Sequence, residues 1–341
     1  MERKGVVCFG EIMIRLQVPG FGKLVQADSL KVMYTGAEAN AGVSLANYGI
    51  PSYPVSMVPE NDIGQGALNY LRRYGLDTSY VHRGGSRLGI LYTETGCSMR
   101  PSKVVYDRDN SSFSELVIGK EEWKRILDGK AWFHFSGTAP SRGEKALQSL
   151  FDGLEVAKEF GVTVSVDFNY RSKLWSENAS AVMTELMNYV DVGIGNEEDA
   201  EALFGIKAEG SDFKKGKIDS SSYAYVASEL IRKFNLKCQA ITLRESISAS
   251  VNGWSALVSD GNKCYVSPRY EVTLVDRIGG GDSFSGGLIY ALMSGMDYQE
   301  AVNFAVASSA LKQTIEGDFN MASLSDVLSL VKGNASGRVE R

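Results

Sequence analysis

The chain has 341 residues, with 36 Lys plus Arg against 41 Asp plus Glu, a formal net charge of −5 and a hydrophobic content of 44%. That much apolar material excludes disorder for the bulk of the chain, and the acidic balance speaks against a dedicated nucleic-acid binder, whose affinity rests on a basic surface. The length fits two ordinary domains or one large α/β domain.

The first apolar run is short and broken by Glu11 and Arg15, so neither a signal peptide nor a membrane span is expected. Cys8, Cys97, Cys238 and Cys264 are scattered, and His82 and His134 are the only histidines, so no zinc-ligand spacing can be assembled. Reduced thiols and a cytoplasmic location are the natural expectation.

Continuous apolar runs at Val6–Phe9, Ala131–Phe135, Val162–Val166, Val190–Ile194 and Ala240–Leu243 read as buried strands. Helical patterns separate them at Gly42–Tyr48, Lys145–Phe160, Ala179–Tyr189 and Tyr223–Phe234. This alternation predicts a parallel sheet covered on both faces, with ligands beyond the carboxyl ends of the strands. Two segments depart from that rhythm. Ile12, Ile14, Leu16 and Val18 alternate with Met13, Arg15 and Gln17, and a second alternating stretch surrounds Ile90, Tyr92 and Glu94. Half-buried strands of this kind predict a small separate sheet, a discontinuous lid over about 12–35 and 88–112. Its apolar face needs a cover, either the cleft or a second subunit, and a homodimer through the lid is expected. The polar tail beyond Lys332 is expected to fray.

The most informative stretch is Val275-Asp276-Arg277-Ile278-Gly279-Gly280-Gly281-Asp282-Ser283-Phe284. Three glycines allow a sharp turn that presents bare N–H groups, and the helix pattern that follows adds its dipole. Such a place suits a phosphate. Asp282 sits beside it, where the dipole stabilises its charged form by roughly 0.3–1 kcal/mol. It is therefore expected to be ionised at neutral pH and to accept a hydroxyl proton, which suffices for phosphoryl transfer. A simple helix cap would explain Asp282 alone, but not three glycines followed by Gly286 and Gly287. Neither GxxxxGK[ST] nor GxGxxG after a strand is present.

At this point the sequence resembles the PfkB or ribokinase-like family of carbohydrate kinases. Asp276 to Asp282 is similar to the family's D-T-x-G-A-G-D signature, with Arg277 replacing a smaller residue. Gly36-Ala37-Glu38-Ala39-Asn40 is similar to its glycine-rich turn followed by Asn. The resemblance spans nearly the whole chain. It implies a single domain over 1–341, a three-layer α/β/α sandwich with a β lid, using ATP and Mg²⁺. By the same resemblance Asp282 is the catalytic base, and Gly279, Gly280 and Gly281 form the anion hole.

The acceptor is read from the segment Asp167 to Trp175, which follows a strand. Arg171 there can grip a carboxylate with two hydrogen bonds. Tyr106 and Arg108 make a second aromatic-plus-arginine pair near the lid, and Tyr92 is placed to cover a sugar. This is similar to the subgroup acting on 2-keto-3-deoxygluconate, in which Gly36, Tyr92, Tyr106, Arg108 and Arg171 would hold the sugar acid and Asn40 a hydroxyl. Gly317 to Asn320 also matches that subgroup, after a helix whose small residues leave room for adenine; Asn303 and Ala307 are assigned there. Asn196-Glu197-Glu198-Asp199 is similar to the family's N-x-x-E motif, which implies that Asp199 and Glu198 hold Mg²⁺ through water and that Asn196 contacts nucleotide. By the same resemblance Thr242 and Arg244 occupy the place of a nucleotide-contacting loop. A serine hydrolase using Ser283 with His82 or His134, a non-catalytic sugar-binding regulator, and a kinase of neutral fructose or ribose are the alternatives.

Overall fold

A computed structural model describes residues 4–175, 178–196, 198–208 and 220–334. In chain order it begins with β1 (Val6–Phe9), β2 (Met13–Gln17), β3 (Lys31–Thr35), α1 (Ala37–Asn47), β4 (Ser52–Val58), α2 (Asp62–Arg73), β5 (Val81–Arg83), β6 (Gly89–Glu94) and β7 (Lys103–Asp107). Next come α3 (Lys120–Leu127), β8 (Trp132–Ser136), α4 (Glu144–Phe160), β9 (Thr163–Asp167), α5 (Ala179–Leu186), β10 (Val192–Asn196), α6 (Asp199–Phe204) and α7 (Ser220–Phe234). The remainder is β11 (Cys238–Ser246), β12 (Val251–Ser259), β13 (Cys264–Val266), β14 (Tyr270–Thr273), α8 (Gly280–Met293), α9 (Tyr298–Lys312) and α10 (Leu324–Val331).

Ten strands form the main sheet in the order β13-β12-β11-β10-β9-β8-β1-β4-β5, with β14 also on β12. From β11 to β5 all neighbours are parallel, and β12 turns back antiparallel. Every residue of β1 and β8 is buried, as continuous apolar runs covered on both faces require. One core, built on Trp123, Phe133, Leu150, Phe168 and Leu230, joins α3–α7 to one face of the sheet. A second, with Phe284, Leu288, Phe304 and Ala307, joins α8–α10 to the other. This is the α/β three-layer architecture anticipated above.

A separate four-stranded sheet runs β3-β2-β6-β7. Its pairings place Thr35, Met13, Arg15, Leu91 and Tyr106 on one face and Val32, Leu16, Tyr92 and Val105 in a row on the other. Helix α1 starts at Ala37, five residues before the predicted Gly42. Ala37, Glu38 and Ala39 are good helix formers, so the glycine–asparagine signature is itself a first helical turn. The tail from residue 335 and Glu197 lie outside the described residues.

Candidate active site

The strand order reverses direction around β1, which has β4 on one side and β8 on the other. Beyond the carboxyl ends of these strands lies a cleft of about 400 Å³. Its wall is drawn from strand ends (Glu11, Thr138, Asp167, Asn196, Thr242), from the small sheet (Met13, Leu91, Tyr106), and from the glycine turn (Gly279, Gly281, Asp282).

The turn is shaped by its glycines. Gly279 has φ +82, and a Cβ there would lie 2.0 Å from the Asp318 carbonyl oxygen, so no side chain fits. Gly280 faces α9, where its carbonyl accepts a 2.6 Å bond from Ser309 Oγ. A Cβ on Gly281 would meet nothing within 4 Å, because that position opens on the cleft. The first-turn N–H groups of α8, which no helix satisfies internally, lie at the same end.

Asp282 stands in this first turn, and its Oδ2 accepts a 2.6 Å bond from Asn40 Nδ2. Asn40 Oδ1 in turn faces Thr35 Oγ1 at 3.4 Å. Although Asp282 keeps some exposure to the cleft, burial dominates and pushes its pKa up to about 6. Asp318 adds to the rise, while the Asn40 bond, Arg171 and Lys312 oppose it. This corrects the expectation from the helix dipole, which is outweighed by desolvation. At pH 7 the ionised form still leads by about tenfold, and the carboxylate is a stronger base than an ordinary aspartate.

Two further acids escaped the sequence analysis as site residues. Asp167 at the end of β9 accepts from Ser285 Oγ at 3.2 Å and is raised to about 8 by burial, with Asp282 and Asp199 adding repulsion. Glu38 accepts from Ser136 N (3.0 Å) and Oγ (2.6 Å), and burial raises it to about 7. Both stood inside quoted segments, and an acid in an otherwise apolar stretch was the available signal.

The arginines are not equivalent. Arg108 lines the cleft, but its Nη2 and Nε reach Glu11 Oε2 at 2.6 and 3.0 Å, and Arg142 lies 3.2 Å from the same oxygen. The trio carries one net positive charge. Arg171 lines the cleft and donates from Nη1 to its neighbour's carbonyl, Tyr170 O, at 2.8 Å. Arg244 and Arg277 line it as well.

Asn196 and Asp199 close a reciprocal pair at the start of α6. Asn196 Oδ1 accepts from Asp199 N at 3.1 Å and from Glu198 N at 2.8 Å, while Asp199 Oδ2 accepts from Asn196 N at 2.9 Å. Asp199 Oδ1 also accepts from Tyr170 N at 3.2 Å. Both residues line the cleft, and the Glu198 side chain is exposed.

Besides Gly280 and Glu198, four sequence-based assignments fall outside the cleft lining. Tyr92 pairs with Val105 on the outer face of the small sheet, and Leu91, opposite Tyr106, takes the inner position. A one-residue slip reverses the face of a strand residue. Gly36 lies just behind the wall, with room for no Cβ because Glu11 O is 2.4 Å away. Asn303 bonds to Gln299 on α9 and Ala307 is fully buried in the core, and neither lines the cleft. The serine-hydrolase alternative also fails: Ser283 is fully buried, and His134 is buried against Ser165 Oγ at 2.8 Å with its pKa lowered to about 4.

A doubly wound sheet, a small second sheet and a carboxylate at a glycine-shaped helix start define a phosphotransferase-type site. The pfkB family carbohydrate kinase model matches residues 3–322, and the chain belongs to that family. It is 48% identical to the solved 2-dehydro-3-deoxygluconokinase of Thermotoga maritima, with a TM-score of 0.92 over 97% of this chain and 100% of that one. It is 30% identical to the 2-dehydro-3-deoxygalactonokinase of Haloferax volcanii, over 97% of this chain and 98% of the relative. A fructokinase of Xylella fastidiosa solved with ATP shares the fold, at 20% identity and a TM-score of 0.78 over 97% of this chain and 99% of that one. Among the described residues no helix is long and apolar enough to cross a membrane.

Proposed function

We propose that the chain transfers the γ-phosphoryl group of ATP to a hydroxyl of a sugar acid, converting 2-keto-3-deoxygluconate to its 6-phosphate. The observation that carries this is the shared cleft: Arg171, Tyr106 and the Glu11–Arg108 pair, backed by Arg142, face the space on which Asp282 opens. A carboxylate is drawn to Arg171 and to the net positive trio, leaving the far end of the sugar toward Asn40 and Asp282. The Thermotoga and Haloferax relatives are both named for 2-dehydro-3-deoxy sugar acids.

Asp282 accepts the proton of the sugar hydroxyl as its oxygen bonds to the γ-phosphorus and the bond to the ADP oxygen breaks. Asn40 holds the carboxylate in place. The N–H groups at Gly281 and Asp282 face the charge that develops on the transferred group. Asn196, Thr242 and Arg244 line the nucleotide side. Magnesium, when bound, neutralises phosphate oxygens. Asp199 already accepts two backbone N–H bonds, so with Glu198 it would hold such an ion through water, not directly.

The inner face of the small sheet makes it a lid on this cleft. Its outer row, Val32, Leu16, Tyr92 and Val105, leaves Val32 57% and Val105 41% exposed, and a second copy would cover it. The location proposed is the cytoplasm, where ATP is supplied and the four free cysteines remain reduced.

One observation favours a neutral acceptor, because Glu11 already engages Arg108. ADP release measured over a panel of sugars and sugar acids separates the two. Turnover with 2-keto-3-deoxygluconate far above fructose and ribose is expected; the reverse order would overturn the sugar-acid assignment.

A further inference from the structure

Next to the glycine turn, and outside the lining of the cleft, four charged groups are buried together. Arg15 of β2 is 1% exposed and Lys312 of α9 fully buried, and they face Asp276 and Asp318. Arg15 Nη2 lies 2.9 Å from Asp276 Oδ2, Nη1 bonds Asp318 Oδ1, and Nε donates to Thr93 Oγ1 on β6 at 3.1 Å. Lys312 Nζ donates to the Asp276 carbonyl at 2.9 Å. Two cations balance two carboxylates, as a dry site requires.

Both acidic residues belong to the frame of the turn, Asp276 through its carboxylate and Asp318 through its backbone carbonyl. Asp276 Oδ1 accepts from Ile278 N at 3.2 Å, and Asp276 Oδ2 accepts from Gly317 N at 3.2 Å. The Asp318 carbonyl is the atom against which Gly279 packs without a side chain. Arg15 itself belongs to the small sheet. Two residues earlier, the same strand sends Met13 into the cleft. Around Arg15 the two parts are not closely packed. A cavity of about 60 Å³, lined by Arg15, Thr93, Leu274, Asp276 and Ile278 among others, lies between them. The ionic contacts therefore bridge a gap that packing leaves open.

A second route runs in front, from Thr35 on β3 through Asn40 to Asp282. The small sheet thus holds the reaction centre from two sides: the front route ends on the Asp282 carboxylate, and the Arg15 route on Asp276 and Asp318, which frame the glycines.

We propose that Arg15 is a positioning residue that couples sugar binding to the glycine turn: movement of the small sheet onto a sugar is transmitted through Arg15 to Asp276 and Asp318, and so to Gly279–Gly281. This rests on the kinase assignment above. A guanidinium fork is needed because three acceptors on three chain segments must be held at fixed angles, which an ammonium cannot do. Such coupling is reciprocal, so a bound nucleotide tightens the sugar by the same factor.

Calorimetry with a non-hydrolysable ATP analogue and 2-keto-3-deoxygluconate, each titrated alone and in the presence of the other, tests this on the full chain. In the wild type each ligand is expected to tighten the other by about fivefold or more. Arg15→Lys is expected to bring that factor to near one, with each separate Kd little changed, and to lower kcat by about tenfold through misplacement of the turn. Thr93→Val, which removes only the Nε acceptor, is expected to give a smaller loss in the same direction and serves if Arg15→Lys does not fold. A wild type without coupling, or variants that retain it, would overturn the proposal. A merely structural Arg15 would lower the melting temperature and both affinities together, leaving the coupling factor intact, which also overturns it. If 2-keto-3-deoxygluconate does not bind the wild type, the substrate assignment is what fails, and the coupling is read with the sugar that turns over best in the panel.

Discussion

Asn40 Nδ2 donates to Asp282 Oδ2 at 2.6 Å, joining two residues 242 positions apart in the chain. The bond stabilises the charged carboxylate against the burial that raises its pKa to about 6. In the wild type kcat/KM is therefore expected to fall as pH drops through about 6, where the base takes up its proton. Asn40→Ala removes an opposing influence, so this acid limb should move to higher pH and the plateau rate should drop. Asp318, Arg171 and Lys312 act on the same carboxylate and stay in place, so a limb that does not move in Asn40→Ala would contradict the role given to the bond.

The glycines of the turn have different reasons to be small, and alanine substitutions separate them. Gly279→Ala places a methyl 2.0 Å from a carbonyl oxygen at φ +82, and should destabilise the fold by roughly 2–4 kcal/mol. Gly281→Ala meets nothing within 4 Å. It should change stability by less than ~1 kcal/mol while raising the KM for ATP, because the methyl enters the phosphate space. Thermal melts and initial rates check both.

How much of this was legible in sequence differs from element to element. Val6–Phe9 was legible without error because a strand buried on both faces reads as one apolar run. β4 was not read, because Pro54 and two serines interrupt it. Its neighbour β5 reaches only Ser56–Val58, so at Pro54 one side of the strand has no ladder bond to lose. The glycine turn and Asp282 were legible because backbone conformation and local dipole leave a signature within a few residues. The Glu11–Arg108–Arg142 trio and the Arg15 cluster were not, since each joins segments that only the tertiary fold brings together. The same limit made Tyr92 and Leu91 exchangeable, as alternation names two faces without saying which one is inside.

That exchange is testable. Tyr106→Ala should raise the KM for the sugar by about tenfold, about 1.4 kcal/mol of lost contact. Tyr92→Ala should change it by less than about twofold, since the ring lies on the outer face beside Val105. Equal effects would place both rings at the substrate.

Asp167, Glu38 and Asp282 all have pKa values raised above their ordinary values, to about 8, 7 and 6. At these three groups the folded chain therefore binds more protons than the unfolded one across roughly pH 4–8. Their contribution to stability is fully present below that window and is lost as pH rises through it. Asp167→Asn should accordingly raise the melting temperature at pH 8 by a few degrees, have less effect at pH 5, and lower turnover. A melting temperature that falls at pH 8 would contradict this charge pattern.

The most direct test of the central claim is single-turnover phosphoryl transfer by Asp282→Asn, with ATP binding measured in parallel. Asparagine keeps the shape and can still meet Asn40, but it cannot accept the sugar proton. The expected result is a rate lower by about 10²–10⁴-fold, with ATP affinity little changed. A rate near that of the wild type would show that the proton goes elsewhere and that Asp282 is not the base.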